Sequence, residues 1–118
     1  MDETNQGAVM GGQHATRGRR LQDIKRRLQQ AFGGRLRGVV LYGSEAREEA
    51  GAESDVDILV LLQGPIDYGR DLRRSIDATY PVVLEWERPI SPDPVDVEQY
   101  SAAEWPLYRR AAIEGMPL

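Results

Sequence analysis

Two aspartates, Asp55 and Asp57, sit two positions apart at the head of the apolar run Val56–Leu62. Side chains alternate along a strand, so both carboxylates point to the same side of it. Two carboxylates held together repel one another unless a cation sits between them. Hard oxygen ligands of this kind suit magnesium, which keeps waters and substrate phosphates as its other ligands. A second pair, Gly43-Ser44, closes an earlier β-branched run at residues 39–42. Glycine lets a ligand approach the backbone closely, and the amides of a turn or helix start suit a phosphate. The Ser44 hydroxyl adds one more donor. Taken singly, the first pair is a solvated strand end and the second an ordinary turn. Ten residues separate Ser44 from Asp55, enough for one strand to turn and return. That spacing sets a phosphate cradle beside a metal site.

The elements that must position these residues follow from periodicity. Leu21, Ile24, Leu28 and Phe32 recur at three- and four-residue steps against Arg19, Arg20, Lys25, Arg26 and Gln29, which predicts an amphipathic helix. Gly33-Gly34 should end it. Before it, residues 1–16 hold three glycines and the one histidine, His14, without apolar periodicity. They read as a flexible leader, with the domain itself at 17–118. Residues 45–49 are expected to form one helical turn and residues 50–54 a loop. Val56–Leu62 is almost continuously apolar, as expected of a strand covered on both faces. After Gly64-Pro65, residues 66–79 read as a second helix, with Tyr68, Leu72 and Ile76 inward and Arg70, Arg73 and Arg74 outward. Residues 82–88 alternate, predicting a third strand with Val82, Leu84 and Trp86 on one face and Val83, Glu85 and Glu87 on the other. Residues 89–97 read as a proline-rich connection. Ser101 to Glu104 matches a capping box, predicting a last helix over 102–114. The expected fold class is α/β (α+β): a small mixed β-sheet packed with helices.

Composition narrows the functional classes. A chain of 118 residues is one ordinary domain. It has no cysteine, which excludes disulfides and thiolate metal sites. No apolar run approaches the roughly 20 residues that cross a bilayer, so no membrane association is expected, and a cytoplasmic location is. A net charge of −4 disfavours broad binding to nucleic acid. The charge is uneven, with eight basic residues and one acid between Arg17 and Arg37, then six acids and one base between Glu45 and Asp57. The basic block reads as the solvated face of a helix or as a docking surface for an acidic partner.

Gly-Ser, ten residues, then Asp-x-Asp resembles the signature of the polymerase-beta-like nucleotidyltransferases. The opening Ser44-x-Ala46-Arg47, the close Ser54-Asp55-x-Asp57, the run Ile58 to Leu62 and the ending Leu107-Tyr108 through Ile113-Glu114-Gly115-Met116 are similar to the minimal nucleotidyltransferase branch. The resemblance covers residues 20–118. It implies that Gly43 and Ser44 hold the triphosphate of ATP, with Arg47 touching a phosphate. It further implies that Asp55 and Asp57 ligate two Mg2+ ions, and that a third carboxylate from a neighbouring strand, usually an aspartate, serves as metal ligand or base. The expected third strand has no aspartate, so Glu85, with Glu87 behind it, takes that part. Glu48-Glu49 stand where the family often has glycine and add negative charge near an anionic substrate.

Members of this branch commonly pair with a helical HEPN-type toxin as its antitoxin, and some transfer AMP to a tyrosine of it. The resemblance therefore implies magnesium-dependent transfer of AMP from ATP to a tyrosine hydroxyl of such a partner. The basic helix and the segment around Trp105 and Tyr108 are the expected contacts. The rival readings are an inactive antitoxin that neutralises its partner by binding, and nucleotidyl transfer to a small molecule. Direct nucleic-acid binding is not expected.

Overall fold

Val56–Leu62 forms the central strand, with six of its seven residues buried. The computed structural model describes residues 2–46 and 54–118, with side chains from Thr16 onward, Ser44 excepted. In chain order the elements are α1 (Asp2–Phe32), a 3-10 turn (Gly33–Arg35), β1 (Leu36–Tyr42), α2 (Gly43–Ala46), β2 (Val56–Leu62), α3 (Tyr68–Trp86), β3 (Ile90–Asp96), α4 (Val97–Ser101), α5 (Pro106–Glu114) and β4 (Met116–Pro117). Among the described residues, four strands make one mixed sheet in the order β3-β2-β1-β4. β1 runs antiparallel to both β2 and β4, whereas β2 and β3 are parallel. The expected α/β class and mixed sheet are present.

The two faces of β2 go to different layers. Val56, Ile58, Val60 and Leu62 join Val39 and Leu41 of β1 against Leu21, Ile24, Leu28 and Phe32 of α1 and Val82 of α3. Leu59 and Leu61 point the other way, joining Val40, Val95 and Ala111. Burying each such aliphatic side chain is worth about 1.5–3 kcal/mol, so a strand covered on both sides anchors the domain. The second face is the more thinly covered, by α5 and by the half-buried Tyr42, Val97, Tyr100 and Tyr108.

α1 meets the apolar spacing expected of it, and its helical backbone extends up to Asp2, through the segment read as a leader. No break in the helix marks the boundary at 16 and 17; among the residues whose side chains are described, Leu21 is the first buried one on α1. Gly33 ends α1 with a positive φ of 58°, the left-handed conformation that glycine adopts without steric cost.

Three expectations need correction. The strand expected at 82–88 is the second half of α3, which runs unbroken to Trp86 through Pro81. Its buried positions are Asp71, Ser75, Thr79 and Val82, spaced by three and four, whereas Tyr68 and Ile76, expected inward, are exposed. Small polar residues line this face because their groups are satisfied locally. Ser75 Oγ donates to the Asp71 carbonyl at 2.8 Å and Thr79 Oγ1 to the Ser75 carbonyl at 2.9 Å. Asp71 receives both Nη atoms of Arg35 at 3.0 Å. A count of apolar residues passes over such a face, and the alternation at 82–88 is incidental.

The segment at 89–97, expected as a connection, contains β3 instead. β3 is the edge of the sheet, the one place where a strand accommodates prolines that lack the N–H of the ladder. Pro92 and Pro94 lie opposite Ile58 and Val60 in register and are buried.

The last helix does not start at 102 with a capping box. Trp105 is extended at φ −120°, ψ 149° and Pro106 occupies the first turn of α5. A residue preceding proline is driven out of helical conformation, and proline is well suited to the first helical position.

Candidate functional site

The β1–β2 register decides where the phosphate cradle meets the carboxylates. Tyr42, the last residue of β1, lies opposite Asp57, the second residue of β2. Gly43 follows at once, with φ 74°, and a Cβ placed on it would lie 2.9 Å from Asp57 Oδ2. Glycine is required there twice, by the backbone angle and by the carboxylate pressed against it. Ser44 is the second residue of α2, so the cradle expected from the Gly-Ser pair stands beside Asp57. Arg47 and Glu48-Glu49 lie outside the described residues.

Asp55 is exposed just ahead of β2 and accepts a hydrogen bond from Ser91 Oγ at 3.1 Å. Asp57 is half-buried on the second, thinly covered face. Burial raises its pKa above the ordinary carboxylate value, and the negative charge of Asp55 raises it further. The pair thus shows the mutual repulsion expected of two carboxylates without a cation.

Glu85 is not part of this group. It lies on α3, where Arg20 Nη1 meets its Oε1 at 2.9 Å. α1 and α3 pack on the first face of the sheet, which puts the strands between Glu85 and Asp57. Glu87 is the C-cap of α3, with its backbone in the left-handed region at φ 57°, ψ 37°. Neither glutamate is on a strand.

The strand that does neighbour β2 carries an aspartate. Asp93 of β3 lies opposite Leu59, and Ser91 opposite Asp57, so Asp93 shares a face with Asp57 and sits diagonally across the parallel pair. Burial raises the Asp93 carboxyl above its ordinary value, against the lowering effect of a hydrogen bond from Tyr68. Tyr68 Oη donates that bond to Asp93 Oδ1 at 3.2 Å. Tyr42 completes the wall: burial, then Asp57, Asp93 and Tyr68, push its phenol up to about 12. Tyr108 is also raised, by burial first and by Asp93 next. A cleft of about 180 Å³ opens on the same side, lined by Tyr42, Gly43, Leu107, Arg110, Ala111 and Glu114.

A buried ion cluster holds the mouth in place. Glu45 of α2, 4% exposed, receives Arg88 Nη2 at 2.7 Å and Arg17 Nε at 2.7 Å. Burial alone would raise the Glu45 carboxyl, but the hydrogen bonds from Arg88 and Arg17 overcome it and hold it below the ordinary glutamate value. Arg88 also donates from Nη2 to the Ser54 carbonyl at 3.0 Å and lies over the Trp86 ring, 4.9 Å from its centre. Both strand ends of the site, before Asp55 and after Gly43, are therefore tied to one guanidinium. Periodicity passes over Arg88 and Asp93 alike, because the segments holding them read as other elements. An aspartate between two prolines, Pro92-Asp93-Pro94, was the available signal for Asp93.

Among the described residues, no three His, Asp or Glu side chains converge closely enough to hold an ion by themselves. The donor set still fits magnesium, which takes one or two protein carboxylates and completes its octahedron with water and phosphate oxygens. Asp55 and Asp57 offer hard oxygens beside backbone amides able to meet a phosphate, and Asp93 stands on the same face as Asp57.

Known proteins bear on this geometry. Residues 21–118 match the family described as nucleotidyltransferase domain. A Methanocaldococcus jannaschii protein named as a putative protein adenylyltransferase is 33% identical over 64 residues, covering 54% of this chain and 64% of that relative. The match thus spans just under two thirds of the relative's length. No solved structure matches the chain. With the family match taking in every element of the site, from the core face of α1 to β4, the chain belongs to the nucleotidyltransferase domain family.

Proposed function

We propose that the protein transfers a nucleotidyl group from a nucleoside triphosphate, ATP in the first instance, to a hydroxyl acceptor. The observation behind this reading is the position of Asp93: a third carboxylate on the strand next to Asp57, on the same face, in a chain of the nucleotidyltransferase family. Backbone amides at Gly43 and Ser44 would meet the triphosphate, and Asp55 and Asp57 would hold Mg2+, with Asp93 beside them. When bound, the metal neutralises charge on the entering and leaving oxygens of an in-line displacement. Asp93, held above the ordinary carboxylate value by burial, is suited to take the proton of the acceptor hydroxyl as that oxygen attacks the α-phosphorus and pyrophosphate leaves.

The acceptor in this reading is a tyrosine of a HEPN-type helical toxin, and the protein its antitoxin, working in the cytoplasm. The relative named as a protein adenylyltransferase supports protein as the substrate class. The basic block of α1 is a weak docking surface, because Arg17, Arg20, Arg26 and Arg27 are already paired within the chain. Apolar side chains are better placed: Tyr68, Ile76, Tyr80 and Leu84 on α3, and Trp105, Leu107 and Ile113 at α5, all stand exposed.

The test uses α-labelled ATP with Mg2+ and the protein encoded beside this one. We expect label on the partner, reduced by about 10²–10⁴ in Asp93→Asn, the usual contribution of a positioned acid or base. Glu85→Gln should transfer like wild type. Full protection of the partner without label, unchanged in Asp57→Asn, would replace this reading with neutralisation by binding alone.

A further inference from the structure

The hydroxyl nearest the candidate base belongs to the protein itself. Tyr68 opens α3, and its Oη donates to Asp93 Oδ1 at 3.2 Å, the relation an acceptor hydroxyl needs to its general base. We propose that Tyr68 is a nucleotidyl acceptor, so that the protein modifies itself in the absence of a better substrate. The inference rests on the nucleotidyltransferase reading of the same site.

Three observations support it. Asp93 shares its face of the sheet with Asp57, so a phosphate held by the Gly43 and Ser44 amides beside Asp57 would lie on the same side as the Tyr68 hydroxyl. Tyr68 is 53% exposed, unlike the half-buried Tyr42, and so has room to gain a nucleotide. The adjoining Gly69 faces open space, with nothing within 4 Å of where a Cβ would stand.

The step balances without an oxidant or a further reactant. Tyr68 Oη bonds to the α-phosphorus of the triphosphate, the bond from that phosphorus to the β-phosphate oxygen breaks, and pyrophosphate departs. The phenolic proton passes to Asp93 and then to water. The product is a phosphodiester on the tyrosine, standing at the mouth of the site. It removes the hydrogen bond to Asp93 and occupies the approach that an external acceptor would use, so modified protein should transfer more slowly to any partner.

The experiment incubates the purified chain alone with MgCl2 and, separately, ATP, GTP, CTP or UTP. Intact-mass measurement and peptide mapping follow, with nucleotide binding measured in parallel by calorimetry. We expect one nucleoside monophosphate per wild-type chain, mapped to Tyr68, and none on Tyr68→Phe or Asp57→Asn. Tyr68→Phe keeps the ring and should bind nucleotide within about twofold of wild type, a change of under about 0.5 kcal/mol. An adduct on another residue, Tyr42 included, overturns the inference. So does an unmodified wild type that nevertheless binds Mg2+ and nucleotide, which leaves the nucleotidyltransferase reading intact. Absence of nucleotide binding overturns both.

Discussion

Asp57 is held at a cost, and the sign of that cost is testable. Its pKa is raised by burial and by Asp55, so the unfolded chain gives up this proton more readily than the folded one. The group contributes nothing while both states are protonated. As pH rises past the ordinary carboxylate value the ionised unfolded state gains, and the penalty is complete once the raised folded value is passed. Asp57→Asn should therefore stabilise the metal-free protein at neutral pH, by about 1 kcal/mol or less because the site is open to solvent and screened. Magnesium should raise the thermal midpoint of the wild type and leave that of the variant almost unchanged. A chelator-controlled melting series checks both. The aspartates at 55 and 57 were legible in the sequence because a two-residue spacing on an apolar strand has one geometrical meaning. Asp93 was not, because its role depends on which strand lies beside β2.

At the scale of elements, α3 and β3 show where periodicity misleads. The expected strand at 82–88 rested on an alternation of large residues, but Val82 and Trp86 also satisfy a four-residue step, and the helix continues it from Ser75 and Thr79. Tertiary burial of Val82 against α1 selects the helix. Its end is then marked not by glycine but by Glu87 at φ 57°, a conformation that costs a residue with a Cβ about 1–2 kcal/mol. Glu87→Gly should raise stability by about 0.5–1 kcal/mol after the entropy of glycine in the unfolded chain is subtracted. Urea midpoints at constant slope would show it. An unchanged or lowered midpoint would mean that the side chain of Glu87 compensates in another way.

Over the whole molecule, Glu45 joins parts that are distant in sequence: α1 through Arg17, and the approach to β3 and the carbonyl before Asp55 through Arg88. Glu45→Gln leaves two guanidinium groups short of a charge in a buried setting, and we expect a loss of about 3 kcal/mol. Because the Glu45 carboxyl is held below its ordinary value of 4.5, its stabilisation is complete above that pH and is lost as pH falls through the lowered folded value. The gap between wild type and variant should close in acid, which denaturation curves taken from neutral pH downward would reveal. The acidic block that looked like a liability beside an anionic substrate thus contains one residue with a structural duty. By itself the sequence determined the mixed α/β class, the apolar face of α1, the doubly covered strand β2 and the meeting of Gly43 with Asp57. Each of these follows from local periodicity or from a short return between neighbouring strands. Only the tertiary structure decided that Asp93, and not Glu85, lies on the strand beside Asp57, and that Arg88 braces the mouth. Helix or strand at 82–97 is settled by which face finds a core to bury, and that is a property of the packed chain rather than of the segment.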